Sequence, residues 1–398
     1  MYRLEMRRLV KTRSTLVFAA SALLFSIFFA LFNVFSAYDY SSIDGTAFHG
    51  LEAIERKRAA AALCEGNWTR ERMGGVFAEV TEISANYEAA SEADKKAAEA
   101  YIGTFFSPVA QVYGVTDLSA ISPEEASQYY TQRKAYIDEA VGLRYGPAAA
   151  EAALALDADA VEPFYYEFGF GTGSDLAGSL PSCLFAVAVV CSVICAPVFA
   201  SDYATGADDV QRCALKGRKP LGRARILAAV TLSALLYILC AAVFTAIMLA
   251  VFGEDSTSAQ LALDALVLGD LTMNDVLLLT LGAGLLSVLA MTAFTLWLSA
   301  HMRSSVAVLA AALAVAMAPT FLIVLLRDSA LGDWLRLLLP GGGLGLGTGM
   351  IVDIQVGKFL TLGRIAVWTP FAMLAAPVIE APLFALLARR AYVRHEGG

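Results

Sequence analysis

Few residues in this chain are of a type and setting that could do chemistry. Glu380 is a carboxyl inside an apolar run, in Pro377-Val-Ile-Glu380-Ala-Pro382. An acid at the centre of a membrane-crossing helix costs about 2.5 to 3.5 kcal/mol on insertion scales, so such a group faces a bundle interior or a watery cavity. The flanking prolines each remove a helix hydrogen bond. Two roles follow for Glu380: a contact to a substrate or proton in a broken helix, or a carboxyl close enough to the end of the run to meet Arg389 or water. His49, His301 and His395 stand in different surroundings, none with a visible catalytic partner. Four of the 6 cysteines (Cys183, Cys191, Cys195 and Cys240) fall in apolar runs and Cys213 falls in a basic loop, which leaves Cys64 alone in the long polar segment. That distribution allows no disulfide within the polar segment, and no CxxC or Cys/His spacing offers a metal site. No apolar run carries paired Asp, Ser with Lys, or HExxH, so an intramembrane enzyme has no residues to work with.

The second set of residues is the basic segment Ser201 to Arg225, SDYATGADDVQRCALKGRKPLGRAR, held between two apolar runs. Runs of about 20 apolar residues cross a bilayer as helices. Arg212, Lys216, Arg218, Lys219, Arg223 and Arg225 then place the short connection in the cytoplasm by the positive-inside rule. Composition agrees with a membrane protein, because 58% of residues are hydrophobic and the mean hydropathy is +0.62. The net charge of −8 is unevenly spread: acids gather in segments expected outside and bases at span ends expected inside, which argues against a nucleic-acid partner.

The expected fold is therefore an all-α polytopic membrane protein with about six transmembrane helices and a mainly helical extracytoplasmic domain between the first and second. Residues 1–13 read as an amphipathic helix lying in the cytoplasmic interface. Spans are expected over 14–37, 180–200, 226–252, 276–300, 305–326 and 365–388 of a cell-membrane protein, with a cytoplasmic tail over 389–398 and both termini in the cytoplasm. The run 14–37 is too long for the core of a signal peptide. Residues 38–179 are the external domain, with Phe105, Phe106, Tyr113, Tyr129 and Tyr130 as core members. Ser122-Pro123-Glu124-Glu125 begins a helix there: Ser as cap, Pro in the first turn, carboxylates toward the positive end of the helix dipole. Phe164, Tyr165, Tyr166, Phe168 and Phe170, just ahead of the second span, read as an interfacial aromatic belt. Residues 327–364 form an external connection whose run Pro340 to Gly349, rich in glycine, suits a re-entrant bend and lacks the GxxxxGK[ST] string of a nucleotide-binding loop. ATP, if used, is bound by another chain.

The loop residues Asp202-Tyr203-Ala204-Thr205-Gly206, Gln211-Arg212, Lys216-Gly217 and Arg223 resemble the loop between the second and third spans of ABC-2 type transporter permeases. The basic amphipathic start resembles the elbow helix of that family. The resemblance implies a permease subunit of an ATP-binding cassette exporter, not itself an enzyme, in which Asp202, Gly206, Gln211, Arg212, Lys216, Gly217 and Arg223 couple the spans to a separate ATPase subunit. It implies that ATP and Mg sit on that partner, that no cofactor is bound by this chain, and that two permeases, identical or different, pair in the lipid bilayer. The other reading of the same residues is a membrane-anchored sensor or assembly protein whose external domain binds a ligand or a protein.

The charge distribution predicts the topology directly. A cysteine placed near Lys95 should be labelled from outside intact cells by an impermeant thiol reagent, and Cys213 should not; labelling of Cys213 in sealed cells would overturn the orientation.

Overall fold

The structure is a computed structural model that describes every residue except 42, 44, 117, 214–217, 327–328, 347–348 and 396–398. It is an all-α polytopic membrane protein. Its 6 apolar helices long enough to span a bilayer are Arg13–Phe35, Leu176–Thr205, Lys219–Phe252, Met273–Ser299, Ser305–Leu325 and Thr369–Arg394, called spans 1 to 6 below. Helices are the economical way across lipid, because each satisfies its own backbone N–H and C=O groups where no water can.

The spans pack by the pattern of their small residues. Span 1 buries Thr15, Ala22, Ser26, Ala30 and Val34, a stripe at helical spacing that lets span 3 and span 2 approach closely. Its other faces leave Leu16, Phe28 and Phe32 exposed, as lipid-facing side chains should be. Span 4 is the centre of the bundle: Ala283, Gly284, Ala290 and Ala293 are buried, and span 6 packs along it. Phe384 of span 6 meets Phe294 and Trp297 of span 4 at 5.1 and 5.7 Å between ring centroids, which sets the register of the two helices.

Several expected span limits move. The helix of span 2 continues to Thr205 and that of span 3 begins at Lys219, so the connection expected over 201–225 shrinks to 206–218. Asp202 and Arg225 at these ends are carried on helix and pair with each other, as described below. Span 6 begins at Thr369, four residues later than expected, because Ile365–Trp368 pairs antiparallel with Phe359–Leu362. Its turn uses Gly363 at φ 61, a left-handed conformation that costs glycine little.

The segment between spans 1 and 2 is mainly helical, as expected, with its own core of Trp68, Phe77, Phe105, Tyr129, Tyr130 and Phe164 among others. Ser122 caps its helix as the sequence implies, accepting from Glu125 N at 3.2 Å. The side chain of Phe106 lies outside what is described. The aromatic belt is corrected. Tyr165–Tyr166 forms a short strand against Gly66–Asn67, which carries Phe164 and Tyr166 into the domain core, while Phe170 is buried in the bundle. Backbone pairing, which periodicity cannot register in so short a stretch, decides their place.

This domain also packs on the connections between spans 3 and 4 and between spans 5 and 6. The buried Arg133 guanidinium reaches Asp157 at 2.9 Å and the carbonyls of Ala265 and Val267 at 3.2 and 2.7 Å. Arg144 and Tyr145 donate to the carbonyls of Val356 and Gly357 at 2.5 and 2.9 Å. All three connections therefore lie at the same end of the bundle. Cys64 is buried in the domain core, and desolvation pushes its thiol up to about 11, so it is a poor nucleophile at neutral pH.

The glycine-rich connection does dip between spans. Gly342, Gly343 and Leu344 are buried against spans 2, 4 and 6, and Thr320 of span 5 donates to Leu346 O at 3.0 Å. A Cβ on Gly343 would sit 2.9 Å from Ser287 Oγ of span 4, so glycine is what permits this approach. Behind it, Arg336 and Asp353 make a doubly hydrogen-bonded ion pair at 3.0 and 2.7 Å, both side chains buried.

Candidate functional site: the basic end of the bundle and the Glu380 carboxyl

At the end opposite the large domain, the chain start, the connection between spans 2 and 3, and the C-terminal segment meet. The organising residue is Arg225 of span 3, with 1% of its side chain exposed. Its Nη2 lies 2.6 Å from Asp202 Oδ2 at the end of span 2 and donates to Gln211 Oε1 at 2.6 Å. Its Nε is 3.5 Å from Glu5 Oε2 on the helix Tyr2–Lys11. Arg8 of that helix stands 3.5 Å from Glu5 and 3.8 Å from Asp202. Two guanidinium groups thus face two carboxylates. The rings of Phe199 and Tyr392 flank Arg225 at 5.8 and 5.9 Å, near enough for cation–π attraction.

The balance of charge is better than the balance of hydrogen bonds. Among the described residues, Nε and Nη1 of Arg225 and Oδ2 of Asp202 have no partner in hydrogen-bonding geometry, so the short approach of Arg225 to Asp202 is an ion contact without a well-aligned bond. A buried ion pair of that kind gains little net stability over an apolar packing, but removing one partner leaves a charge uncompensated. The cluster therefore fixes which elements sit together more than it strengthens the fold.

Span 2 is built to present Asp202. Pro197 has no N–H to donate, and the helix resets there, leaving first-turn amides without intrahelical partners. Ser299 at the end of span 4 supplies the missing group. Its hydroxyl accepts from Phe199 N and Ala200 N, both at 3.0 Å, and donates to Ala196 O at 2.7 Å. Below this pinned break, Pro197–Thr205 carries Asp202 to Arg225 and ends at Gly206, whose φ of 69 is the left-handed cap conformation. A short helix, Ala207–Cys213, follows. Its Val210 is 77% exposed and Cys213 is exposed. The C-terminal segment closes over the connection, with His395 stacked on Tyr203 at 4.0 Å and its Nε2 4.0 Å from Asp208.

Of the loop residues singled out from sequence, Asp202 and Gln211 converge on Arg225, and Gly206 makes the turn. Arg223 is exposed and, among the described residues, makes no ion pair. The side chain of Arg212, and Lys216 and Gly217 altogether, lie outside the described residues. Arg225 was legible only as one more positive charge, although a sharper signal was present. Span 3 buries Leu221, Gly222, Arg225, Ala228, Ala229 and Ser233, a helical stripe in which Arg225 is the sole charge. Glu5 is likewise the one acid in an otherwise basic helix, four residues before its buried Leu9.

Glu380 lies elsewhere. It belongs to the buried face of span 6 with Met373, Pro377 and Ala388, and is 8% exposed. Neither carboxyl oxygen has a hydrogen-bond partner among the described residues, and no ion pair to Arg389 forms. The reading in which Glu380 meets Arg389 is thus set aside. Taking the Phe384 contact with Phe294 and Trp297 as the register, Glu380 falls about one helical turn deeper than the tip of the glycine-rich connection at Gly343. No group of three or more His, Cys, Asp or Glu able to hold a metal occurs among the described residues.

The Arg225 cluster carries a stability prediction. Arg225→Met should lower unfolding stability by roughly 3 to 5 kcal/mol, the usual cost of orphaning buried partners. The triple change Arg225→Met, Asp202→Leu, Glu5→Leu should recover most of that loss. Thermal unfolding in one detergent measures both; a single mutant as stable as wild type would show that Arg225 is not the organising charge. In comparisons with known proteins, no family model matches this chain and no curated protein is similar to it.

Proposed function

We propose that this chain is the permease subunit of an ATP-binding cassette exporter of the ABC-2 type, lying in the cell membrane with both termini cytoplasmic and driven by a separate ATPase subunit. ATP and its Mg would belong to that partner, and two permeases would assemble across the bilayer. The observation that carries the reading is the short helix Ala207–Cys213 between two spans, with Val210 turned outward and Gln211 held by Arg225. A lever must be anchored at both ends and hinged at one. The break at Pro197 is a hinge, the Arg225 cluster is the anchor, and an apolar side chain presented to solvent is what a groove on a partner would take up. The sensor reading keeps one observation in its favour, a cavity in the large domain treated below.

Two measurements test the proposal. Val210→Glu leaves every span untouched, so protein recovered from membranes should be at wild-type level, while co-purified ATP-hydrolysing subunit should fall at least tenfold. Wild-type protein isolated from native membranes with no such subunit, or a Val210→Glu variant that retains it, overturns the exporter reading. For Glu380, the exchange to Gln keeps size and removes the charge. Transport per molecule should fall several-fold with membrane abundance unchanged, and unaltered transport would remove Glu380 from the path.

A further inference from the structure

The large domain contains a cavity of about 680 Å³ between the helices Gly50–Cys64 and Glu92–Tyr113, within the size range of small-molecule sites. Its existence follows from residue size. Besides longer side chains such as Arg56, Lys57, Lys96 and Glu99, the first helix contributes Ala59, Ala60 and Ala61 to the lining and the second contributes Ala100, Gly103 and Thr104, short side chains that leave a gap between the helices. Gly103 is the telling position. A Cβ added there would meet nothing within 4 Å, so no close packing requires glycine at this point in the helix. Mid-helix glycine is destabilising by roughly 0.5 to 1 kcal/mol against alanine, and here it leaves the gap open.

The lining is polar at one end of the second helix and apolar at the other. Near its start, Arg56 bridges Asp39 at 2.8 Å and Glu99 at 3.2 Å, so one positive charge is shared between two carboxylates. Lys57 and Lys96 also line the cavity and, among the described residues, form no ion pair, so three basic side chains face two acidic ones and this end is net positive. Toward the other end come Pro108, Tyr166, Leu261 and Leu263, whereas Phe168 lies under the Arg58 guanidinium at 5.3 Å. Lys96 and Pro108 are 12 residues apart along one helix, about 18 Å at 1.5 Å per residue. The wall is also shared among connections: Asp39 follows span 1, Phe168 and Thr172 precede span 2, and Leu261 to Leu263 lie between spans 3 and 4.

We propose that this cavity binds a single-chain amphipathic acid, with a carboxylate or phosphate at Lys57 and Lys96 and an apolar body along the channel toward Pro108 and Leu261. Two unpaired ammonium groups at one end select against neutral and cationic analogues, and the apolar walls reject small inorganic anions. Because the walls include residues that follow span 1, precede span 2 and join spans 3 and 4, an occupant would bear on these connections together. The inference holds whether the chain is an exporter subunit or a sensor, and its test does not use an ATPase.

The test uses the full chain in lipid nanodiscs with a photoreactive diazirine derivative of laurate. After illumination, label should concentrate on peptides containing Ala59 to Leu63 or Gly103 to Pro108. Excess laurate or dodecyl phosphate should reduce it at least tenfold, whereas dodecanol should not. Lys57→Glu with Lys96→Glu should weaken labelling at least tenfold, and Gly103→Leu, which fills open space, should abolish it; Ala60→Leu serves if that variant does not fold. Mass spectrometry of lipid extracts separates the sources. A single-chain acidic lipid carried by wild type and lost from Gly103→Leu assigns the ligand to the membrane, and a clean extract with saturable laurate labelling assigns it to solution. Label spread evenly over the spans, label unchanged in the filled variants, or competition by dodecanol equal to that by laurate overturns the proposal.

Discussion

A guanidinium taken out of water has to find negative charge, and in this protein that requirement draws three separate pieces of chain together. Arg225 belongs to the stripe of span 3 that faces its neighbours, so it cannot turn to solvent. Asp202 must then stay on helix at the foot of span 2, Glu5 must bring the first helix underneath, and Gln211 must hold the short helix beside them. The foot of the bundle has its shape because that one charge is buried. The opposite end uses the same device twice: Arg133 pairs with Asp157 inside the large domain while reaching carbonyls of the connection between spans 3 and 4, and Arg336 pairs with Asp353 inside the connection between spans 5 and 6.

Lipid imposes the other condition, that backbone groups are satisfied within the protein. Pro197 violates it locally and Ser299 repairs the violation from a different helix. One hydroxyl therefore joins the lower part of span 2 to span 4, and span 4 in turn is the helix along which Glu380 packs. Displacement of the connection between spans 2 and 3 would either carry span 4 with it or break two hydrogen bonds in a dry setting. The base of the bundle and the buried carboxyl are thereby joined through span 4.

Much of this was readable in the sequence, and the reasons for the rest are physical. Six long apolar runs announce six spans, because nothing else tolerates such composition. Asp202 and Gln211 stood out by type in a loop, and Gly206 by the turn it must make. What escaped was what depends on tertiary pairing: the helical continuation past residue 201, the strand Ile365–Trp368, the burial of Phe164 and Tyr166, and the special place of Arg225 among several basic neighbours. Glu380 was visible as an anomaly, but only packing shows that its oxygens meet no partner among the described residues.

The Arg225 cluster also has a consequence for biosynthesis. Glu5 is made before its partner Arg225, which follows 220 positions later (225 − 5), after the large domain and two spans. Until the ribosome has passed that point the first helix has no charge to dock against and can only lie at the lipid surface, where its basic residues suit anionic headgroups. Closure of the cluster then reports, in a single contact, that spans 1 to 3 have inserted with the right sidedness. A chain with one span inverted would leave Arg225 and Glu5 on opposite faces of the membrane, each exposed as a mark of faulty assembly that quality-control proteases could read.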